Sequence, residues 1–122
     1  MIAVGAILAF LAVVCGAFGA HGLEKILDEH LLEVWKTGAY YQLVHALALI
    51  LLGLYEELKK IQLRLVRWSF LIGILLFSGS LYALALSGVK MLGAITPFGG
   101  MAFLIGWLAF AWAAGKTQKN EK

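Results

Sequence analysis

Residues 68–89 read WSFLIGILLFSGSLYALALSGV, 22 positions without a charged side chain. A bilayer with a hydrocarbon core of roughly 30 Å demands about 20 apolar residues in a helix, so this run has the length of a membrane span. It is continuously apolar and rich in Leu and Ala, whereas a strand of a membrane barrel alternates over about 10 residues. A helix is the remaining way to satisfy the backbone in lipid. Three further charge-free runs lie outward from it, at 37–55, at 95–115 and at 1–20. The first run carries a passable small-residue site at Ala17-Phe18-Gly19. It lacks a basic leader, however, and is too long for the core of a cleaved signal peptide, so it reads as a span.

Composition agrees with this reading. Of the 122 residues 62% are hydrophobic and 14% charged, with mean hydropathy +0.90, against roughly 45–50% and 25% in a soluble domain. So few charges cannot cover a water-facing surface around this much apolar material. One Cys excludes a disulfide framework and a cysteine-based zinc site. The expectation is an all-α, membrane-spanning four-helix bundle forming one integral membrane domain over residues 1–122. Between spans one and two, Leu23, Ile26, Leu27, Leu31 and Val34 recur at helical spacing, with Glu24, Asp28, Glu29 and Glu33 largely elsewhere. That pattern predicts a short amphipathic interfacial helix over 23–36. Trp35 at its end suits the headgroup region.

Lys and Arg near the span ends predict orientation. One side holds Lys59, Lys60, Arg64, Arg67, Lys116, Lys119 and Lys122; the other holds Lys25, Lys36 and Lys90. Seven against three places both termini in the cytoplasm. The net charge of +3 reflects topology and lipid contact, and nucleic acid is not an expected partner because no basic stripe is interleaved with exposed aromatics.

Lipid gives no hydrophobic drive between helices, so small residues should mark the contacts. Candidate stripes are Ala12, Gly16 and Ala20; Ala39, Gln42, Ala46 and Gly53; and Ala102, Gly106, Ala109 and Ala113. Polar side chains within the spans are the candidate site, since they are expensive there. With the spans antiparallel, His21 lies at the outer end of span one. Gln42 lies roughly 8 Å deep, Tyr82 roughly 10 Å, His45 roughly 12 Å, Ser80 roughly 13 Å and Ser78 roughly 16 Å. Thr96 opens span four, and Thr96-Pro97 reads as an N-cap and first-turn pair. These seven residues predict a polar cluster in the outer half of the bundle, with Gln42 and His45 on one helix face. Its roles are to bond neighbouring helices or, with Lys36 and Lys90 nearby, to hold an anionic group such as a lipid headgroup.

Catalytic, metal and cofactor roles are not expected. His21 and His45 differ by roughly 10 Å in depth, too far to share a metal or haem. Cys15 has no visible activating partner, and no Ser-His-Asp set, H-E-x-x-H or phosphate-binding Gly loop is present. Proton-coupled export needs an acidic residue within a span, and the four spans contain no Asp or Glu. The sequence therefore favours a non-enzymatic structural or regulatory membrane component acting through lipid or protein contacts. The alternatives are an oligomeric small-solute transporter or channel and an accessory subunit of a larger membrane complex. Expected partners are membrane lipid, a second copy of the chain or a larger complex.

Four motifs carry a resemblance. They are Gly16-Ala17-Phe18-Gly19-Ala20-His21-Gly22; Thr37-Gly38 with Tyr41-Gln42 and His45-Ala46-Leu47; Phe77-Ser78-Gly79-Ser80-Leu81-Tyr82; and Thr96-Pro97-Phe98-Gly99-Gly100 with Gly106-Trp107. Through them the sequence resembles the domain of unknown function 423 family of small bacterial membrane proteins. The resemblance implies a four-helix protein of the bacterial cytoplasmic membrane and implies no reaction. Its motifs contain the polar residues singled out by depth.

Overall fold

The computed structural model describes residues 1–122, the side chain of Ala20 excepted. Four helical spans follow one another. The first is α1 (Ile2–His21), the second α2 (Glu29–Lys59). The third is built from α3 (Arg64–Gly73), a π-helical turn (Ile74–Ser78) and α4 (Gly79–Ser87). The fourth is α5 (Thr96–Asn120). All four are long and apolar enough to cross a membrane. Both termini lie at one end, where Lys59 bonds Glu121 and Gly53 approaches the Met1 side chain.

The stretch 23–36 differs from expectation. Leu23–Lys25 form a single 3-10 turn, and the following residues open α2 itself, which runs unbroken into the span. The reason is local. The Asp28 carboxylate accepts the Leu31 N–H and starts the helix there. Gly38, a residue that could break the helix near the start of the span, is instead buried under the Tyr82 ring. Leu23 and Trp35 are buried with Ala85, so the segment folds onto the bundle. Trp35 is thus a core residue, its ring lying over Gly19 and its Nε1–H donating to the Cys15 carbonyl at 2.8 Å.

α2 and the third span form the middle of the molecule, with α1 along α2 and α5 along α3 and the π turn. The main core joins Ala48, Leu49, Leu52, Val66, Phe70, Ile74 and Phe103. The second-span stripe holds, with Ala39, Gln42, Ala46 and Gly53 all buried. In α1 Ala12 is buried, but Gly16 faces open space, and Ala20's part in the expected stripe lies outside the described residues. The close approaches in α1 are made by Gly5, against Ile50 and the Ala46 carbonyl, and by Gly19. Gly5, Ala12 and Gly19 recur every seven residues, the period of a helix seam. In α5 the buried positions are Gly99, Phe103 and Gly106, so of the expected stripe only Gly106 is fully covered.

The π turn also has a cause. Val66, Phe70, Ile74 and Ser78 are buried at steps of four, a spacing that drifts by about 40° per step round an α-helix of 3.6 residues per turn. One widened turn keeps these side chains on the inner face. Over it passes the α5 backbone at Gly99, seated against the Phe77 main chain.

Candidate functional site

The expected polar cluster resolves into separate hydrogen-bonded groups around α2. In the first, Gln42 bridges three helices. Its Nε2 donates to the Leu8 carbonyl of α1 at 2.9 Å, and its Oε1 accepts the Tyr82 hydroxyl of α4 at 2.7 Å. A flipped amide would set oxygen against oxygen, so the two partners fix its orientation. Tyr82 in turn lies against Trp35, with ring centroids 4.7 Å apart.

The second group ties the third span to its neighbours on both sides. Ser78 Oγ donates to the Gly38 carbonyl at 2.7 Å, fully buried. Ser80 Oγ donates to the Phe77 carbonyl at 2.9 Å and accepts the Thr96 hydroxyl at 2.6 Å. Thr96 therefore makes no N-cap, as α5 begins without a side-chain cap. Its hydroxyl crosses to α4, while Pro97 keeps its expected place in the first turn.

His45 stands apart from both. Gln42 and His45, three residues apart, diverge to the two sides of α2, because the face they share is divided between α1 with α4 and α3 with α5. The His45 ring stacks on Phe103 with centroids 3.5 Å apart, and Phe70 and Trp107 close around it. Nδ1 donates to the Tyr41 carbonyl at 2.8 Å, and Nε2 accepts the Trp107 indole N–H at 3.0 Å. One tautomer alone, with the proton on Nδ1, satisfies both bonds. His21 joins none of these groups: it is exposed at the end of α1.

Three residues that matter here are not among the expected site residues. Trp107 is the partner of His45. A buried Glu56 pairs with a partly exposed Arg67 at the end that holds the termini. An indole N–H set in a bilayer needs an acceptor, but nothing in the spacing says which. Glu56 borders a charged cluster and gives no sign of burial.

These bonds are structural in magnitude. Interhelical hydrogen bonds in membrane proteins average about 0.6 kcal/mol. Tyr82→Phe is therefore expected to lower stability by about 0.6 kcal/mol, read by unfolding in mixed detergent and SDS. An unchanged midpoint would show that the bond to Gln42 contributes nothing net.

Comparison with known proteins identifies the family. The chain is 48% identical over 117 residues to the UPF0382 membrane protein YwdK of Bacillus subtilis (strain 168), covering 94% of this chain and 95% of that protein. It is 46% identical over 115 residues to a UPF0382 membrane protein of Staphylococcus epidermidis, covering 94% of each. No solved structure matches the chain. The family described as "Protein of unknown function (DUF423)" matches residues 15–100, a range that contains Gln42, His45, Ser78, Ser80, Tyr82 and Thr96. With relatives that match it almost end to end and four helices fit to cross a bilayer, this membrane protein belongs to the DUF423 family.

Proposed function

We propose that the protein is a non-enzymatic structural or regulatory component of the bacterial cytoplasmic membrane, with both termini in the cytoplasm. It acts through contacts with lipid and with other membrane proteins, and requires no cofactor. One observation carries this reading. Gln42, His45, Ser78, Ser80, Tyr82 and Thr96 each bond a partner within the chain, and both ring nitrogens of His45 are engaged. A polar side chain that serves a substrate or a conducted ion must have a lone pair or proton to spare. His45 is the case that decides. A proton arriving at Nε2 would have to expel the Trp107 indole, so the imidazole is poorly suited to a relay. What the protein offers outward is a broad apolar surface, including Phe10 and Phe18 on α1 and Phe98, Leu104, Leu108 and Trp112 on α5. The orientation is supported by the seven-to-three excess of Lys and Arg at the end that holds the termini.

A reconstitution experiment tests this. Liposomes containing the purified protein are expected to show no voltage- or gradient-driven flux of protons or small cations above protein-free liposomes. Flux that His45→Ala abolishes would overturn the reading in favour of an oligomeric channel or transporter.

A further inference from the structure

At the end of the bundle opposite the termini, a cavity of about 530 Å³ is lined by Asp28, His30, Leu31, Leu84, Gly88 and Lys90. It lies where the start of α2 meets the end of α4. With 31 residues, α2 is about 46 Å long at 1.5 Å per residue and exceeds a hydrocarbon core of roughly 30 Å. Its first turns, which form one wall, therefore stand at the level of the lipid headgroups. The lining divides by chemistry. Leu31 and Leu84 give it apolar sides. Asp28 brings a carboxylate, of which Oδ1 accepts the Leu31 N–H at 2.7 Å, leaving Oδ2 to accept another donor. Lys90 brings an ammonium and His30 an imidazole. Opposite charges line one cavity here without joining each other. The ion pairs among the described residues are Lys59 with Glu121 and Arg67 with Glu56, both at the other end.

We infer that this cavity binds the headgroup of a zwitterionic phospholipid whose ammonium carries N–H donors, phosphatidylethanolamine being the type. The inference rests on the membrane-contact reading above and names its ligand. The ammonium sits at Asp28, the phosphate lies between Lys90 and His30, and the first carbons of the lipid run down past Leu31 and Leu84. Both charged side chains of the cavity are then met by one molecule, each through a charge-assisted hydrogen bond. A purely anionic headgroup would satisfy Lys90 but bring a second negative charge beside Asp28. A choline headgroup has the right charges but no N–H to donate to the carboxylate. A lipid is the expected source because the cavity opens at headgroup depth and its apolar walls suit a chain that continues into the bilayer.

The test uses the full chain purified in a mild detergent, with binding read by native mass spectrometry and by the melting midpoint. Dioleoyl phosphatidylethanolamine, phosphatidylglycerol and phosphatidylcholine are compared with water-soluble phosphoethanolamine. Phosphatidylethanolamine is expected to bind about fivefold or more tightly than the other two lipids, the effect of one well-placed charged hydrogen bond. Asp28→Asn keeps a good N-cap and is expected to erase the preference over phosphatidylglycerol. Lys90→Gln is expected to weaken phosphatidylethanolamine by a similar factor. Equal binding of the three lipids, or a preference that survives both substitutions, overturns the inference while leaving the membrane-contact reading in place. Soluble phosphoethanolamine binding as tightly as the lipid overturns the lipid assignment. Gradient-driven flux in the liposome experiment overturns the broader reading instead.

Discussion

Glu56→Ala is expected to destabilise the protein by about 1.5–3 kcal/mol, the loss of a charged hydrogen bond with a donor left unpaired. Glu56 is 8% exposed and holds the reversal between α2 and α3 from inside. Its Oε1 accepts the Leu63 N–H at 2.6 Å, where α3 begins without any other side-chain cap, and its Oε2 accepts Arg67 Nη2 at 2.9 Å. Alanine would orphan the N–H and strand a guanidinium whose Nε already lacks a partner. Glu56→Gln keeps an acceptor for Leu63 but loses the charge, and should fall between alanine and the native protein. The double variant Glu56→Leu with Arg67→Met removes both charges and should recover much of the loss. Unfolding in mixed detergent and SDS measures all three. A loss below about 1 kcal/mol for Glu56→Ala would show the pair to be solvated like a surface ion pair.

Gly99→Val is the second large effect, expected at or beyond the upper end of the roughly 1–3 kcal/mol that overpacking costs. A Cβ at Gly99 would press on the Phe77 backbone nitrogen and come within 2.7 Å of its Cα. Main chain cannot swing aside as a side chain can, so α5 must lift off the π turn. Lifting it also separates Thr96 from Ser80, three residues earlier. Gly106 meets the ring of Phe70 instead, at 2.7 Å from its Cε1, and a ring can turn. Gly106→Val should therefore cost less than Gly99→Val. Gly16→Ala and Gly79→Ala are the controls, since a Cβ at either meets nothing within 4 Å. Equal losses at Gly99 and Gly16 would mean that α5 does not seat on the third span as described.

The spans were legible because charge-free length is a property of the sequence alone. So was the list of in-span polar residues, since each had to find a partner and all but His21 did. Which partner each finds is set by helix rotation, and a step of three along α2 was enough to send Gln42 toward α1 and His45 toward α5. The π turn changes rotation again beyond Ile74, and no residue type signals it. The separate interfacial helix expected at 23–36 is absent because amphipathic spacing fits equally well the exposed first turns of a long helix, and Asp28 is the cap of α2. Glu56 was invisible for the opposite reason: its burial depends on Arg67 and Leu63 folding back over it, a tertiary event no window of sequence contains.

α1 leans on α2 along one side and makes no comparable contact with the other spans. The helical hairpin of α1 and α2 is therefore a self-contained unit whose partners lie close together along the chain. Synthesised before the third span, it can zip in the bilayer through Gly5, Gln42 and Gly53 ahead of that span. The later helices then assemble against a finished surface, where Tyr82, Ser78 and the rings around His45 find their mates. Expressing residues 1–62 and 63–122 as two chains in one membrane would reveal that order, since the halves should still assemble into one complex.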